Sequence, residues 1–388
     1  MTKKPEIKNL KKTADRIIRA VKKKEKIILY GDADLDGVSS VIILKESIQN
    51  LGGNVTSVFF PDRENDGYGI TEGALEELKH LAPALLISVD LGIGNFREIK
   101  IAKKMGFEVI VIDHHQILEG KIPAASIVVD PKQKGDNYPF KGFANVGIIF
   151  KLAEELFKDK FSENLKNSFL ELTAIATIAD MMPQTDDNKL FIEKGLGSIH
   201  NTFRPGLKAF FEIINSDVSS YGNIQSIISA LNSCERIDRV NETYLVLTSS
   251  SVKEARVIAE NLISKAQGKQ YKIKEIIREV EARVLEKPRV GIIFEGDASW
   301  PLILAGPVAS AVVQRFDEPV FIYRKGSTES VGSVRVPKDV NSVDAMAPCS
   351  NFLISYGGHP PASGFRIKNE NLARFKECLI KYFKEKNK

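Results

Sequence analysis

The tripeptide Asp113-His114-His115 places one carboxylate and two imidazoles directly after residues 107–112, an apolar run that is typical of a buried strand. Open α/β sheets bind their ligands where such strands end. Carboxylates and imidazoles that crowd together destabilise one another unless a cation holds them. The residue types at this strand end therefore predict a metal site.

Two further strand-like runs also end in carboxylates. The first run is followed by three aspartates at alternate positions, namely Asp32, Asp34 and Asp36. The second run ends at Asp90. Because the carboxyl ends of parallel strands meet at one edge of a sheet, we expect these aspartates to lie beside the Asp113-His114-His115 tripeptide. Carboxylate oxygens with an imidazole suit Mn²⁺ or Mg²⁺ better than they suit zinc, which favours thiolates.

The acidic segment at Asp32 and a further acid, Asp180, each have an alternative interpretation. The Asp32 segment could be an EF-hand calcium loop, but position twelve of that loop would be Ile43 instead of the required glutamate. Asp180 ends a helical segment, where a carboxylate faces the negative end of the helix dipole. A cation would stabilise it there, and a solvated loop acid before Pro183 is the alternative.

Composition sets the broad class of the protein. The chain has 388 residues, of which 43% are hydrophobic and 27% charged, as expected for a globular protein of two or three domains. A net charge of +5 favours an anionic partner only slightly. The three widely spaced cysteines indicate a reducing compartment and argue against a cysteine zinc site. With neither an apolar signal segment nor a bilayer-length apolar run, we expect a cytoplasmic protein without membrane contact.

The order of strand-like and helix-like runs predicts an α/β protein with a doubly wound parallel sheet, a long connecting helix and a smaller C-terminal α/β domain. The predicted domains are residues 1–250, with a helical subregion from about 145, the helix 251–286, and residues 287–388. The strands predicted for the first domain are 26–30, 55–60, 84–89, 107–112 and 126–129. Predicted helices between them cover about 37–51, 71–80 and 95–105.

The C-terminal domain contains two segments that could bind an anion. Gly357 and Gly358 precede His359, and paired glycines allow backbone N–H groups to approach a phosphate closely. Ser333 and Arg335 offer a hydroxyl and a guanidinium with the same capability. A simple turn is the alternative for the glycine pair.

Together these segments resemble the DHH phosphoesterase superfamily and, within it, the RecJ-like nucleases. The four ordered motifs of that superfamily match residues 31–37, 89–93, 113–115 and 178–183. Its DHHA1 module matches the Gly357-Gly358-His359 segment together with Ala362 and Gly364. RecJ-like details also occur at Pro61-Asp62-Arg63, at Gly67-Tyr68-Gly69 and at residues 145–151.

The resemblance implies two Mn²⁺ or Mg²⁺ ions. It assigns Asp34 to one ion and Asp36 to the other, and Asp90 bridges them. His114 and Asp180 complete the shell of the second ion. Bacterial RecJ proteins usually carry a histidine where this chain has Tyr30, so either Asp32 takes over as a ligand or the first ion is held more weakly.

The resemblance also implies the remaining site residues. The catalytic set is Asp90, Asp113, His114 and His115, in which His115 lies beside the scissile phosphate and Asp113 supports it by hydrogen bonding. The residues implied to bind the nucleic acid, in addition to His115, are Arg63, Arg236, Ser333, Arg335, Gly357, Gly358 and His359.

The resulting hypothesis is a two-metal exonuclease that acts on single-stranded DNA or RNA, with replication or repair proteins as possible partners. A nanoRNase or cyclic-dinucleotide phosphodiesterase is the nearest alternative enzyme, and an inorganic pyrophosphatase ranks third. From another class, a catalytically silent RecJ-like replication scaffold remains open. Such scaffolds lose the acids or the histidine, whereas this chain retains Asp34, Asp36, Asp90, His114 and Asp180.

Overall fold

The computed structural model describes residues 5–61, 69–117, 120–214, 220–234, 236–237 and 240–386. The chain forms two compact units, Met1–Ala266 and Gln267–Lys388, and the boundary falls inside one long helix. The strands of the first unit are β1 (Ile27–Gly31), β2 (Ser57–Phe59), β3 (Ala84–Val89), β4 (Phe107–Ile112), β5 (Ile127–Val129), β6 (Arg236–Ile237) and β7 (Val240–Asn241). Its helices are α1 (Leu10–Lys22), α2 (Leu35–Asn50), α3 (Glu72–Leu78), α4 (Phe96–Lys104), α5 (Asn145–Phe157), α6 (Glu163–Ala179), α7 (Asp186–Ser198), α8 (Pro205–Ile214), α9 (Tyr221–Leu231) and α10 (Glu242–Leu247).

The main sheet of the first unit is parallel, with the strand order β2-β1-β3-β4-β5. The chain builds outward from β1 in one direction, then returns and adds the later strands on the other side. This reversal lies between β1 and β3, and open α/β sheets bind ligands beyond the carboxyl ends of the strands at such a point.

Helices cover both faces of this sheet because its strand residues alternate between two apolar cores. Leu29 and Ile87 belong to the core that contains α2 and α5. Their neighbours Ile28 and Leu86 belong to the opposite core, against α3 and α4. Both faces are therefore buried, which explains the continuous apolar runs in the sequence and confirms the predicted doubly wound sheet.

The long helix α11 (Val252–Leu285) agrees with the predicted connecting helix. The second unit continues with β8 (Ile293–Asp297), α12 (Leu302–Phe316), β9 (Val320–Lys325), β10 (Glu329–Arg335), α13 (Ser342–Met346), β11 (Leu353–His359), β12 (Ala362–Lys368) and α14 (Leu372–Lys386). Its mixed sheet has the order β11-β12-β10-β9-β8, in which only β8 and β9 pair in parallel.

Apolar residues also cover both faces of the second sheet. Residues of α11 and α12 pack on one face around Trp300, and α14 packs on the other face around Phe375. None of the helices in the described ranges combines the length and apolar character needed to cross a bilayer.

One expectation about the cysteines is wrong. The sequence interpretation treats all three as reduced, whereas the structure joins Cys349 and Cys378 in a disulfide that does not include Cys234. The pair is 29 residues apart in sequence. It meets because α14 packs on the short helical segment before β11, a tertiary contact that cysteine spacing does not reveal.

Candidate active site

Carboxylates occupy the ends of neighbouring strands at one edge of the parallel sheet. Asp32, Asp90 and Asp113 directly follow β1, β3 and β4. Each donates its backbone N–H to the last carbonyl of the next strand, at 3.2, 2.9 and 3.0 Å respectively. The strand ladder therefore fixes the backbone of all three residues. We call this edge, with Asp34, Asp36, His114, His115 and Asp180, the metal edge.

The start of α2 positions the two other aspartates of the first motif. Asp34 is the N-cap, and its carboxylate accepts the N–H of Gly37 at 3.1 Å. Gly37 cannot be replaced without a backbone shift, because a Cβ there would lie 2.4 Å from the carbonyl oxygen of Asp32. Within the first turn of α2, the oxygens of Asp36 accept the N–H groups of Asn145 and Val146 at 2.7 and 2.8 Å.

These last two hydrogen bonds seat Asp36 on the N-terminus of α5, where the helix dipole favours a negative charge. Burial nevertheless raises the pKa of Asp36 well above its usual range, and the charges of Asp180 and Asp34 raise it further. The bonds from α5 only partly oppose this rise. Asp36 is thus held rigidly in a position where its charge lacks full compensation.

The unprotonated ring nitrogen of His114, Nε2, faces three carboxylates. Its Nδ1 lies 2.8 Å from the carbonyl oxygen of Phe143, which can only accept, so Nδ1 carries the hydrogen. Burial lowers the pKa of His114 to about 3, as does the charge of His115, so the ring is neutral. The Nε2 lone pair then lies 3.2 Å from Asp90 Oδ1. It lies 3.6 Å from Asp180 Oδ2 and 3.9 Å from Asp36 Oδ2.

Two of the three carboxylate oxygens around His114 lack hydrogen-bond donors in the described part of the chain. Asp90 Oδ1 and Asp180 Oδ2 are buried without a hydrogen-bond partner. Burial and neighbouring carboxylates raise the pKa of Asp90 well above its usual range, and burial raises the pKa of Asp180 to about 7. Asp90 also holds a left-handed backbone conformation, with φ +64°. A divalent cation among these atoms would satisfy both oxygens and the Nε2 lone pair.

Donor atoms within 4.8 Å of one another form overlapping groups that fit metal ions. One group contains only oxygen donors, from Asp32, Asp34 and Asp90. Another combines His114 with Asp36 and Asp180. Asp90 also groups with the two histidines, so it lies between the donor sets. Mixed carboxylate and imidazole donors without thiolate suit Mn²⁺ or Mg²⁺.

Asp113 shapes the loop that carries the histidines. Its Oδ1 accepts the backbone N–H groups of His114 and His115 at 2.8 and 3.1 Å. The same oxygen lies 2.7 Å from Nδ1 of His115. Its Oδ2 accepts the backbone N–H of Ile93 at 2.9 Å. Burial alone would raise the pKa of Asp113, but the His115 hydrogen bond and the histidine charges lower it to about 2. Burial would lower the pKa of His115, but the bond to Asp113 and its charge raise it to about 9. His115, with 44% of its side chain exposed, therefore carries a positive charge at the metal edge.

Tyr30 is a core residue and does not join the metal edge. Its ring is fully buried and packs 4.9 Å from that of Phe59, between centroids. Its hydroxyl donates to the carbonyl of Gly69 at 3.2 Å. Asp32 supplies the third carboxylate of the oxygen-only group at this end of the sheet.

In the second unit, strand pairing aligns the two predicted anion-binding segments with each other across the sheet. Ser333 pairs with Gly364, and Gly364 pairs with Gly357 on the next strand. Two positions along, Arg335 and His359 both pair with Ala362. The sheet thus aligns β10 with β11 through β12. We call Ser333, Arg335, Gly357, Gly364 and the register position of His359 the glycine row.

Arg335 is the charged group of the glycine row. Its Nε donates to Ser310 Oγ on α12 at 3.1 Å, and its Nη1 donates to the carbonyl of Val334 at 2.8 Å. Burial lowers the pKa of Arg335, and no ion pair to a carboxylate compensates it within the described ranges. A Cβ on Gly357 would meet no atom within 4 Å. A guanidinium that has no acid partner among the described residues is suited to an anion.

The structure does not describe the side chains of three predicted binding residues, namely Arg63, Arg236 and His359. Arg63 lies entirely outside the described residues, and so does Tyr68 of the RecJ-like Gly67-Tyr68-Gly69 segment. Of Arg236 and His359 only the backbone is described, in β6 and β11.

Comparison with known proteins agrees with this arrangement. The profile of the DHH family, N-terminal domain, matches residues 26–177, the range that contains the strand ends of the metal edge. The single-stranded-DNA-specific exonuclease RecJ of Bacillus subtilis is 33% identical over 384 residues, covering 96% of this chain and 48% of that protein. Residues 26–177 form a DHH family N-terminal domain, and the chain is similar to RecJ along nearly its whole length. The predicted resemblance is thereby confirmed.

Solved structures extend the likeness to both units of this DHH protein. A crystal structure of exonuclease RecJ bound to manganese matches with a TM-score of 0.80 at 26% identity, covering 97% of this chain and 95% of that one. The RecJ of Thermus thermophilus, in complex with Mn²⁺, matches with a TM-score of 0.83 at 24% identity, covering 98% and 55%. The chain spans about half the length of the Bacillus subtilis relative.

The DHH domain contains two groups at the metal edge that sequence reasoning missed. Asp130 and Lys132 follow β5, the next strand end along the edge. Lys132 Nζ donates to the carbonyl of His114, and burial lowers the pKa of Lys132. Burial raises the pKa of Asp130 to about 7, although it accepts the N–H of Lys132 at 2.7 Å. Their place after a fifth strand was the available signal, but Asp-Pro-Lys resembles an ordinary turn.

Asn145 is a further positioning residue of the DHH domain. It is fully buried, and its backbone N–H bonds Asp36. With its amide oriented so that both ends are satisfied, the nitrogen donates to the carbonyl of Ile112 and the oxygen accepts the N–H of Asp90, each at 3.1 Å. One residue thus connects the two motifs that contribute Asp36 and Asp90.

Proposed function

We propose that this chain is a metal-dependent exonuclease that hydrolyses phosphodiester bonds of single-stranded DNA with two Mn²⁺ or Mg²⁺ ions. The observation that carries the proposal is the pair of buried, unpartnered oxygens of Asp90 and Asp180 facing the neutral Nε2 of His114. This arrangement is unfavourable without cations and becomes a ligand set with them. The RecJ relatives, named as exonucleases specific for single-stranded DNA, support the choice of substrate.

The donor groups suggest which residues hold each ion. Asp32 and Asp34 would hold the first, and Asp36, His114 and Asp180 the second. Asp90 belongs to the oxygen-only group and also contacts His114, which supports a bridging role. When bound, such ions lower the pKa of a water and stabilise charge on the phosphate oxygens.

The residues around the ions position and neutralise the substrate. Asp113 keeps His115 protonated and oriented through Nδ1, so that the Nε2–H of His115 can donate a hydrogen bond to a phosphate oxygen. The left-handed backbone at Asp90 and the helix N-terminus at Asp36 fix the donors before substrate arrives, which lowers the reorganisation needed during reaction.

The glycine row is the proposed anion-binding surface of the second unit. Arg335 and Ser333 would bind the backbone phosphates, and Gly357 and Gly358 would allow the strand to approach β11. Arg63, Arg236 and His359 remain predicted contacts on the same basis of family resemblance.

End-labelled DNA and RNA single strands, each blocked at one end, provide the test. With Mn²⁺ we expect a ladder of shortened DNA strands and no cleavage of duplex DNA. The ladder also reports the polarity, the sugar preference and the minimum length. Cleavage of dinucleotides alone would instead identify a nanoRNase-type enzyme, and absence of any Mn²⁺-dependent product would reject the proposal in favour of a silent scaffold.

A further inference from the structure

Met181 directly follows Asp180 at the end of α6 and has a left-handed backbone, with φ +55°. Its N–H donates to the carbonyl of Ile178 at 3.2 Å, and the N–H of Met182 donates to that of Thr177 at 3.3 Å. This pair of bonds is the usual ending of a helix whose left-handed position is occupied by glycine. Methionine at that position is strained because its Cβ crowds the backbone.

Other helices of the same unit end in this way with different residues. After α2 the left-handed position is Gly52, and after α4 it is Gly106. After α1 it is Lys24, whose N–H and that of Glu25 donate to Val21 and Ala20 in the same pattern. The fold therefore accepts glycine or a solvated polar residue at this kind of position.

Met181 is exceptional in two independent respects. Among the described residues with a left-handed backbone that are not glycine, it is the only apolar one; the others are Asn9, Lys24, Asp90, Lys158, Asp186, Asp317 and Asp339. It is also the most exposed of the large apolar side chains described, at 89%. The next residue, Met182, packs against the core and accounts for the local need for an apolar anchor.

Neither property stabilises the fold, since the first strains the backbone and the second leaves an apolar side chain in water. Both coincide on the residue that follows a proposed metal ligand. Departures from local rules of this kind are expected where a residue serves a bound molecule.

We propose that Met181 is a substrate-contact residue, whose side chain packs against the base of the nucleotide bound at the metal edge. The inference rests on the proposed exonuclease function. A flexible, polarizable thioether suits the face of any base without reading its identity, as an enzyme that degrades strands of any sequence requires.

The test compares Met181→Gly with Lys24→Gly, a matched control with the same helix ending that lies before the start of β1, at the opposite end of that strand from Asp32. Both variants should melt about 2 °C higher than the wild type, because each removes the strain of a left-handed side chain. Only Met181→Gly should raise KM for single-stranded DNA, by roughly five- to tenfold, the loss expected for one apolar base contact. Its kcat should stay within about twofold, because the metal ligands are untouched. Met181→Leu should retain the wild-type KM.

A strand with abasic sugars at its terminal positions identifies the contacted group. On that strand, wild type and Met181→Gly should have equal KM. A Met181→Gly protein that melts higher but keeps the wild-type KM on ordinary strands would overturn the inference, as would a KM increase that persists on the abasic strand. If the wild type degrades no strand, the exonuclease proposal itself fails, and that result is distinct from an active wild type with an unaffected variant.

Discussion

The metal edge and the glycine row hold their polar groups in opposite ways. At the metal edge, backbone N–H groups from several elements fix buried carboxylates, and oxygens of Asp90 and Asp180 still lack a donor within the described ranges. In the glycine row, Arg335 has hydrogen bonds but no acid among the described residues, and the backbone of Gly357 is open. The first region is complete only with cations, whereas the second offers a positive charge to a ligand.

This difference indicates a division of labour between chemistry and recognition. A rigid set of buried carboxylates gains most from a bound cation and loses most when one ligand is removed. A half-buried guanidinium that bonds a ligand phosphate contributes binding energy in smaller increments. Substitutions at the metal edge should therefore abolish turnover, and those in the glycine row should weaken binding.

The largest effect is expected from removing ligands at the metal edge. Replacing Asp36 and His114 together by alanine should reduce Mn²⁺-dependent cleavage by roughly a thousandfold or more. Isothermal titration should show fewer Mn²⁺ ions bound than in the wild type. His200→Ala, which changes an exposed histidine, is the control and should retain both properties. An active double variant would remove the basis for placing the chemistry at this edge.

A smaller effect is expected in the glycine row. Arg335→Met should raise KM for single-stranded DNA by about ten- to a hundredfold, the equivalent of one or two charge-assisted hydrogen bonds. Mn²⁺ binding should be unchanged because Arg335 belongs to the other unit. Arg324→Met provides the control, since Arg324 is exposed on the neighbouring strand β9. If Arg335→Met lowers kcat and leaves KM unchanged, the division between the two regions is wrong.

Lys132 tests how far the metal edge extends beyond its ligands. Lys132→Met removes the donor to the His114 carbonyl and should lower Mn²⁺ affinity or turnover by about tenfold, as loss of groups that orient ligands commonly does. Lys134→Met, two residues along the same loop and exposed, should behave as the wild type. Unchanged Mn²⁺ affinity and turnover in Lys132→Met would show that the hydrogen bond from this lysine to the His114 carbonyl does not influence the site.

Local patterns in the sequence were enough to predict the parallel sheet and the gathering of the motif residues at its edge, although they missed Asp130 and Lys132. Strands buried on both faces occur as continuous apolar runs, and ligands that follow strand ends occur as short contiguous motifs. The hydrogen bond from Asn145 to Asp36 could not be predicted in this way, because 109 residues separate the partners. Likewise, the alignment of Ser333 with Gly357 depends on strand pairing through Gly364.

The smallest effect is expected at the other end of β4, where the carboxylate of Glu108 accepts hydrogen bonds from an arginine. Glu108 lies at the start of this strand, and hydrogen bonds from Arg16 on α1, at 2.8 and 2.6 Å, lower its pKa below the usual 4.5. The ionised carboxylate is therefore favoured by folding, so the pair stabilises the protein above about pH 4.5 and loses that contribution as pH falls through the lower folded-state pKa. Since Glu108 is 38% exposed, Glu108→Gln should cost less than about 1 kcal/mol at pH 7. The gap in melting temperature between Glu108→Gln and the wild type should shrink as the pH falls from 7 to 3. Turnover at pH 7 should be unaffected. A gap that widens towards acid pH would contradict this assignment.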